Sequence, residues 1–361
     1  MKNMVSLFLI IMLSYNCNKA EKKTSDRRAE KSWIKNKNNP VLVREKGYSY
    51  DLYAISDCWV IYHEEKYKMW YTSGGVVLPD TVFHNSISYA TSTDGVKWTK
   101  YKQNPVMDVG KTSWDSLGVE TVTVIIDSAA ANPERYKMWY AGQTFNDHRY
   151  EFGYAYSPDG ISWKKHLGQV LSVGNNKSWD NCFIEGPSVL KEGHTYKMWY
   201  AGYDCEVNGQ ETDGKVNIGY ATSTDGINWT KYKGNPVLKT SKGEWDEVYV
   251  QDPHVVKYRG YYHMWFGGVN KGDNYGQETG YAYSTDGINW TKSPHNPVLR
   301  RGKKGEWDAN TASFASALIK DNKIKMWYSG KDVEPLPAWP KSYFWDLGFA
   351  EKILPDSILL D

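Results

Sequence analysis

From Trp33 to Lys352 the chain runs in short stretches in which apolar and polar residues alternate with a period of two. The clearest is Tyr67-Lys68-Met69-Trp70-Tyr71, which returns at Tyr136 and Tyr196, with variants at Tyr262 (YHMWF) and Ile324 (IKMWY). A second run of the GYATS type follows each, and in four of the five an Asp-Gly pair comes next, at Asp94, Asp159, Asp225 and Asp286. After Asp-Gly comes a Trp, then Asn-Pro-Val-Leu or Asn-Pro-Val-Met at Asn104, Asn235 and Asn296, with a degenerate GQVL at Gly168. Trp-Asp pairs (Trp114-Asp115, Trp179-Asp180, Trp245-Asp246, Trp307-Asp308) precede a further apolar run. Alternation of this kind predicts half-buried strands, and Asp-Gly predicts a tight hairpin because glycine accepts positive φ. Each unit reads as four antiparallel strands. Five such units in series predict an all-β, five-bladed β-propeller. The fifth unit lacks its last strand, and Trp33–Leu42 (WIKNKNNPVL) matches Trp229–Leu238 (WTKYKGNPVL). The N-terminal strand is therefore expected to complete the last blade and close the ring, pairing an otherwise open edge.

The residues ahead of this region read differently. Lys2 followed by an apolar stretch, Val5 to Leu13, is too short for a membrane helix and has the form of a targeting segment. Cys17 comes shortly after it, and a polar stretch runs on from Asn18. We expect residues 1–17 to be a lipoprotein-type signal with Cys17 as the lipidation site, 18–32 a polar tether, and 33–361 the propeller domain. Ordinary signal cleavage is the alternative. Either way the chain is expected in the cell envelope or outside it, with a lipid anchor as its one link to the membrane, as a monomer. Of the other cysteines, Cys182 and Cys205 fall within one repeat and suit a bridge in an oxidising compartment, and Cys58 reads as a buried apolar residue.

Composition changes the picture in two ways. A net charge of +2 lacks the basic surplus that nucleic acid requires. The 17 Trp and 28 Tyr suit sheet packing and also stacking on sugar rings.

The acids carry the candidate chemistry. First strands of a propeller line its central channel. Glu120 lies six residues past Trp114, Glu185 six past Trp179, Asp252 seven past Trp245, and Asp57 seven past Tyr50, which heads the motif in the first unit; the fifth unit has Ser313. Four carboxylates converging on one mouth would raise one another's pKa and are costly to keep. Glycoside cleavage needs such a set, with one protonated acid for the leaving oxygen and one ionised carboxylate on the other side.

With these residues the chain resembles the five-bladed propeller glycosidases, namely the arabinanase and β-xylosidase family (glycoside hydrolase family 43) and the related invertase and levanase family (family 32). The resemblance covers roughly Trp33 to Lys352, and Glu185-Gly186-Pro187 looks like the proton-donor segment of the arabinanase-like enzymes. It implies Asp57 as general base, Glu185 as general acid, and Glu120 as the residue that orients substrate and tunes the acid. Asp57 is followed by Cys58-Trp59 instead of the Asp-Pro of the family 32 nucleophile segment. That departure favours inversion. Asp252, His254, Ser313, Trp59, Trp114 and Trp179 are candidate substrate-binding residues. No cofactor is expected; a Ca2+ in the channel near His254 is implied by related arabinanases, against a plain hydrogen-bonded histidine. Trp114, Trp179, Trp245 and Trp307 recur so regularly that packing between blades competes with sugar stacking. His84, His148, Asp204 and Asn274 are candidates for shaping subsites. The expected activity is hydrolysis of a poly- or oligosaccharide, exo-acting and furanosidase- or xylosidase-like. The alternatives are a non-catalytic carbohydrate-binding propeller and a mannoside-type phosphorylase, for which Lys271 and Lys331 are the possible phosphate cations.

Overall fold

The computed structural model describes residues 33–45, 50–76, 83–110, 114–130, 132–143, 149–205, 214–271, 275–332 and 344–356. Cys17, the tether, His148 and Asn274 lie outside them. The described residues are all-β, without an α-helix, and no helix is long and apolar enough to cross a membrane.

Among the described residues twenty strands pair antiparallel in repeating groups; two groups stand as separate four-stranded sheets, and single parallel bridges, Val216↔Tyr249 and Gln277↔Thr311, join the rest into one twelve-stranded sheet. The innermost strand of each group follows the Trp-Asp motif or its equivalent: β2 (Ala54–His63), β6 (Gly118–Ile126), β10 (Phe183–Glu192), β14 (Tyr249–Tyr258) and β18 (Thr311–Lys320). The second strands carry the Met-Trp motif: β3 (Lys66–Val76), β7 (Tyr136–Gln143), β11 (Thr195–Tyr203), β15 (Tyr261–Val269) and β19 (Lys323–Lys331). The third strands are β4 (Phe83–Ser92), β8 (Tyr150–Ser157), β12 (Val216–Ser223), β16 (Gln277–Ser284) and β20 (Asp346–Ile353). Two-residue outer strands follow the Asp-Gly turns, as β5 (Thr99–Lys100) does. In the last group that place is taken by β1 (Ile34–Lys35), which pairs with β20 through Ile34↔Glu351 and Lys35↔Ala350. Asn39 accepts the Phe349 N–H at 2.8 Å, as Asn104, Asn235 and Asn296 accept those of Tyr89, Tyr220 and Tyr281 inside their own units.

Two repeated devices fasten the sheets, the first between neighbouring units and the second within each unit. The Trp of each Met-Trp motif is fully buried, and four of the five donate their indole N–H, at 2.7 Å, to the carbonyl of an Asp-Gly glycine in the next unit. The second device is the aspartate of each Trp-Asp pair. Asp115, Asp180, Asp246 and Asp308 are buried, and each takes a lysine from an outer strand, Lys165, Lys231, Lys292 and Lys35, at 2.5–2.6 Å. The buried tryptophans are each worth roughly 3–5 kcal/mol against truncation to alanine, so the motif that made the repeats visible is the one that packs them.

The innermost strands pack on one another. Val60 N–H donates to Ser316 Oγ between β2 and β18 at 3.0 Å, and Val255 N–H to Ser188 Oγ between β14 and β10 at 2.9 Å. Thr123 donates to the Pro187 carbonyl between β6 and β10. His254 Nε2–H reaches the Ala317 carbonyl between β14 and β18 at 2.8 Å.

Candidate active site

Each innermost strand carries a break in its ladder at the same level: between Ser56 and Trp59, Glu120 and Val122, Glu185 and Ser188, Gln251 and His254, and Ser313 and Ser316. At every break one residue has positive φ: Asp57 (49°), Thr121 (43°), Gly186 (58°), Asp252 (50°) and Phe314 (54°). A bulge bends the strand and re-aims its side chains. Left-handed backbone is uncommon for residues other than glycine and clusters at functional sites.

The bulge corrects the expected register. Asp57 and Asp252 sit on the left-handed residue itself, whereas Glu120, Glu185 and Ser313 sit one residue before it. The four acids are therefore not equivalent positions. The longer glutamates extend from the preceding residue, and the shorter aspartates from the bulge. Gly186 shows why a glycine follows Glu185. Its φ is left-handed, and a Cβ there would lie 2.7 Å from Asp252 Oδ1 and 2.9 Å from Asp252 Cα.

The bulges bring the acids together. Asp57, Glu120 and Glu185 line one cavity of about 160 Å3 with Ser56, Thr72, Asn85, Phe314 and Trp345. Beside it a smaller space of about 40 Å3 is lined by Asp57, Trp59, Gly186, Asp252, His254 and neighbours. Asp57 accepts a hydrogen bond from Ser56 Oγ at 2.6 Å, and its backbone N–H donates to Ser329 Oγ at 3.0 Å. Asn85 Nδ2 donates to Glu120. Tyr203 OH donates to Glu185 Oε2 at 3.3 Å and to Gln251 Oε1 at 3.2 Å.

Their electrostatics differ in order. Burial raises the Asp57 carboxyl to about 6, against the pull of its bonds to Ser56 and Thr72. Burial, then the Asp57 charge, raises Glu120 to about 7, although Tyr150 and Asn85 donate to it. Glu185 rises furthest of the three, to about 8, through burial and then the charges of Glu120 and Asp57. Asp252 is pushed well above the carboxylate range by burial and by all three of these acids. Each of the three cavity acids keeps a face on the cavity, so water still reaches them.

The other predicted residues divide. Asp252, His254 and Trp59 line the smaller space, with the Trp59 ring 4.4 Å from the His254 ring. His254 is held neutral by burial, which lowers it to about 4; Nε2 is bonded, while Nδ1 is buried with no partner, as is Asp252 Oδ2. Among the described residues no three His, Cys, Asp or Glu side chains form a metal-holding group. Ser313 is fully buried, its Oγ without a partner, and it lines neither cavity. Trp114 and Trp179 pack on glycines of the second strands, Gly142 and Gly202, and lie against Tyr140 and Tyr200; they line neither cavity. His84 bonds Asp108 at 2.8 Å, and the Asp204 N–H donates to the Lys215 carbonyl at 3.1 Å. Cys182 and Cys205 are disulfide-bonded at the mouth of the hairpin that carries Glu185 and Tyr203, and Cys58 is a buried free thiol. Lys271 is exposed, while Lys331 is buried with its Nζ 4.2 Å from the centre of the Trp345 ring. Asn85, Tyr150, Tyr203, Phe314 and Trp345 were not anticipated. Only Tyr203 had a signal, since it stands four residues past the Trp of its Met-Trp motif.

Comparison with known proteins fits this geometry. The family profile of the glycosyl hydrolases family 32 N-terminal domain matches residues 130–295. The uncharacterized protein Rv1502 of Mycobacterium tuberculosis is 25% identical over 220 residues, 60% of this chain; the match spans 66% of that relative's length. A solved structure described as a thermostable family-43 glycoside hydrolase aligns with TM-score 0.63 and 18% identity, covering 89% of this chain and 93% of that one. Another, described under the GH130 family of mannoside phosphorylases containing glycoside hydrolases that target β-1,2 mannosidic linkages in Candida mannan, aligns with TM-score 0.69 and 17% identity over 92% and 97% of the two chains. The resemblance to propeller glycosidases read from the sequence is thus shown, and the fold is of the glycoside hydrolase propeller kind.

Proposed function

We propose that the chain is an inverting glycoside hydrolase, built as a five-bladed propeller that its own N-terminal strand closes. The strand pairing of β1 with β20 and the packing of β18 on β2 support the closure. The observation that carries the activity is the graded set of carboxyl groups on one cavity. Glu185, held at about 8, keeps its proton at neutral pH and donates it to the glycosidic oxygen as the C–O bond breaks. Asp57, held at about 6, is ionised there and takes a proton from the water that attacks the anomeric carbon. Glu120 stands between them in acidity; its charge raises Glu185, and Asn85 orients it. Inversion requires the acid and base to be about 6.5–9.5 Å apart, leaving room for the water.

The substrate on this reading is an oligo- or polysaccharide cut from its end, furanosidic or xylosidic in type. The enzyme would act as a monomer at the cell envelope, tethered through Cys17. Phosphorolysis is the second reading, supported by the neighbour from the phosphorylase family and by the buried ammonium of Lys331. A screen of aryl-glycosides and polysaccharides, with and without phosphate, tests both. Turnover in plain buffer that vanishes in Glu185→Gln and Asp57→Asn, with the inverted anomer as first product by proton NMR, is expected. Phosphate-dependent release would replace hydrolysis with phosphorolysis. Binding without any turnover would leave a carbohydrate-binding module.

A further inference from the structure

In four of the five second strands the last residue stands four past the Met-Trp tryptophan, opposite the opening residue of the innermost strand. In β11 this is Tyr203, which pairs with Phe183 and whose hydroxyl reaches Glu185. In β19 it is Lys331, which pairs with Thr311. The fifth unit therefore presents an ammonium at the place where the third unit presents the hydroxyl that touches the acid. Lys331 is 7% exposed, and no carboxylate pairs with it among the described residues. The nearest acid along the neighbouring strand, Asp346, is already taken by Arg44, whose guanidinium bonds both of its oxygens at 3.1 and 3.2 Å. What holds Lys331 is the face of Trp345, and that same Trp345 lines the cavity of Asp57, Glu120 and Glu185.

The energetics leave this arrangement incomplete. Removing an ammonium from water is costly, and a single cation–π contact offsets only part of that cost. Burial lowers the Lys331 ammonium to about 8, so it is still charged at neutral pH. The fifth unit also carries Ser313 where the second and third carry glutamates, so no acid of that series neutralises the lysine.

Resting on the hydrolase reading, we infer that Lys331 with Trp345 forms an anion-binding subsite at the edge of the catalytic cavity, and that the sugar accepted there carries an acidic oxyanion group, such as the carboxylate of a uronic acid. Trp345 stacks on the sugar face while Lys331 takes the charged substituent. A lysine suits this as a compact point charge. Inorganic phosphate has the same chemistry and is the other source of such an anion.

Matched pairs that differ in the carboxylate test it. Glu185→Gln protein, which keeps the cavity but not the acid, is titrated with D-glucuronate, D-glucose, D-galacturonate, D-galactose and inorganic phosphate, read by ligand-observed NMR. At least one uronate is expected to bind ten-fold or more tightly than its neutral counterpart. Lys331→Met should erase that preference without lowering the melting temperature, because an unpaired buried charge has gone, and Lys331→Arg should retain the preference. Phosphate binding that needs Lys331, with no uronate preference, assigns the subsite to the free ion. Equal binding of charged and neutral sugars, no binding of any anion, or a preference that survives Lys331→Met overturns the inference. Turnover assays on the wild type are separate: an anion preference without turnover would sink the hydrolase reading and leave the subsite standing.

Discussion

Acidic side chains occupy both ends of the sheet groups, and the two populations behave in opposite ways. At the outer turns, Asp94, Asp159, Asp225 and Asp286 each accept backbone N–H groups from two and three residues on, at 2.7–2.8 Å, and a hydroxyl from the serine two before. Partial burial pushes these carboxyls up, but the donors outweigh it and hold them below the usual range. At the inner bulges, Asp57, Glu120 and Glu185 are half-buried and Asp252 buried, close to one another; they have few donors, and all are raised. An acid that lowers the free energy of the fold is kept ionised by its partners. An acid kept against its own electrostatics, on or next to left-handed backbone, is retained for another reason, and such a trade of stability for activity is common at active sites.

The largest expected effect breaks this contrast at its centre. Glu185→Gln should lower kcat on substrates with poor leaving groups by about 10^2–10^4-fold, the range that a positioned general acid supplies. Asp225→Asn, an equally conservative change at the outer turn, should leave kcat within about two-fold and lower stability by roughly 1 kcal/mol, as losing a charged acceptor for backbone N–H groups does. Steady-state kinetics with urea unfolding of both variants would compare them directly. Equal kcat losses would mean that the inner acids are structural.

Next in size is Gly186→Ala. The added Cβ meets Asp252 backbone and carboxylate, and the left-handed φ is strained for alanine. Strain of this kind costs roughly 1–3 kcal/mol. Because the strain falls on the Glu185 bulge, activity should drop more than the melting temperature suggests. Gly193, also at positive φ (57°) but open to space around a Cβ, should lose only about 1 kcal/mol when changed to alanine and keep its kcat.

The inner acids also set a pH dependence with a definite sign. Their folded pKa values lie above the unfolded ones near 4.5 and 3.8. Between those values and about 8 the folded state binds more protons than the unfolded state, so stability falls as pH rises. Glu185→Gln should flatten that fall and melt higher than wild type at pH 8. The wild-type kcat/KM should be bell-shaped with limbs near about 6 and about 8, read as macroscopic values of coupled groups. Glu185→Gln should lose the alkaline limb.

Repetition made the fold legible. Met-Trp, Trp-Asp, Asp-Gly and Asn-Pro recur because each solves the same packing problem in each unit, and the match of Trp33–Leu42 to an internal segment predicts the pairing of β1 with β20. The site was legible only in part. Counting from the strand-heading motif puts Glu120 and Glu185 six residues on and Asp57 and Asp252 seven, but a count does not register a bulge, so the four were read as equivalent positions although the two aspartates sit on the left-handed residue itself. Asn85, Tyr150 and Trp345 come from third strands or from the chain leading into them, where no repeat marks them. Trp114 and Trp179 went the other way: their recurrence reflects a glycine beneath each ring, which is packing.

The smallest expected effect tests the repeat where it fails. Gly95, Gly160, Gly226 and Gly287 carbonyls each accept two indoles, one from the Trp three residues on and one from the buried Trp of the preceding unit, as Gly287 does from Trp290 at 3.0 Å and Trp199 at 2.7 Å. The fifth unit has no Asp-Gly turn. Its corresponding pair is Trp33 and Trp265, packed edge-to-face at 6.5 Å, and both indole nitrogens are buried without a partner. Changing Trp to Phe removes the N–H together with part of a ring, and the loss of ring volume is similar at Trp199 and Trp265, both almost fully buried. The difference between the two variants therefore isolates one hydrogen bond. Trp199→Phe should be destabilising by about 1 kcal/mol more than Trp265→Phe, the net worth of a typical buried bond, measured as the shift in urea midpoint at constant slope. Equal losses would mean that Trp265 finds an acceptor in solution, and the contact beside β1 would then be as well fastened as those made by Trp70, Trp139, Trp199 and Trp327.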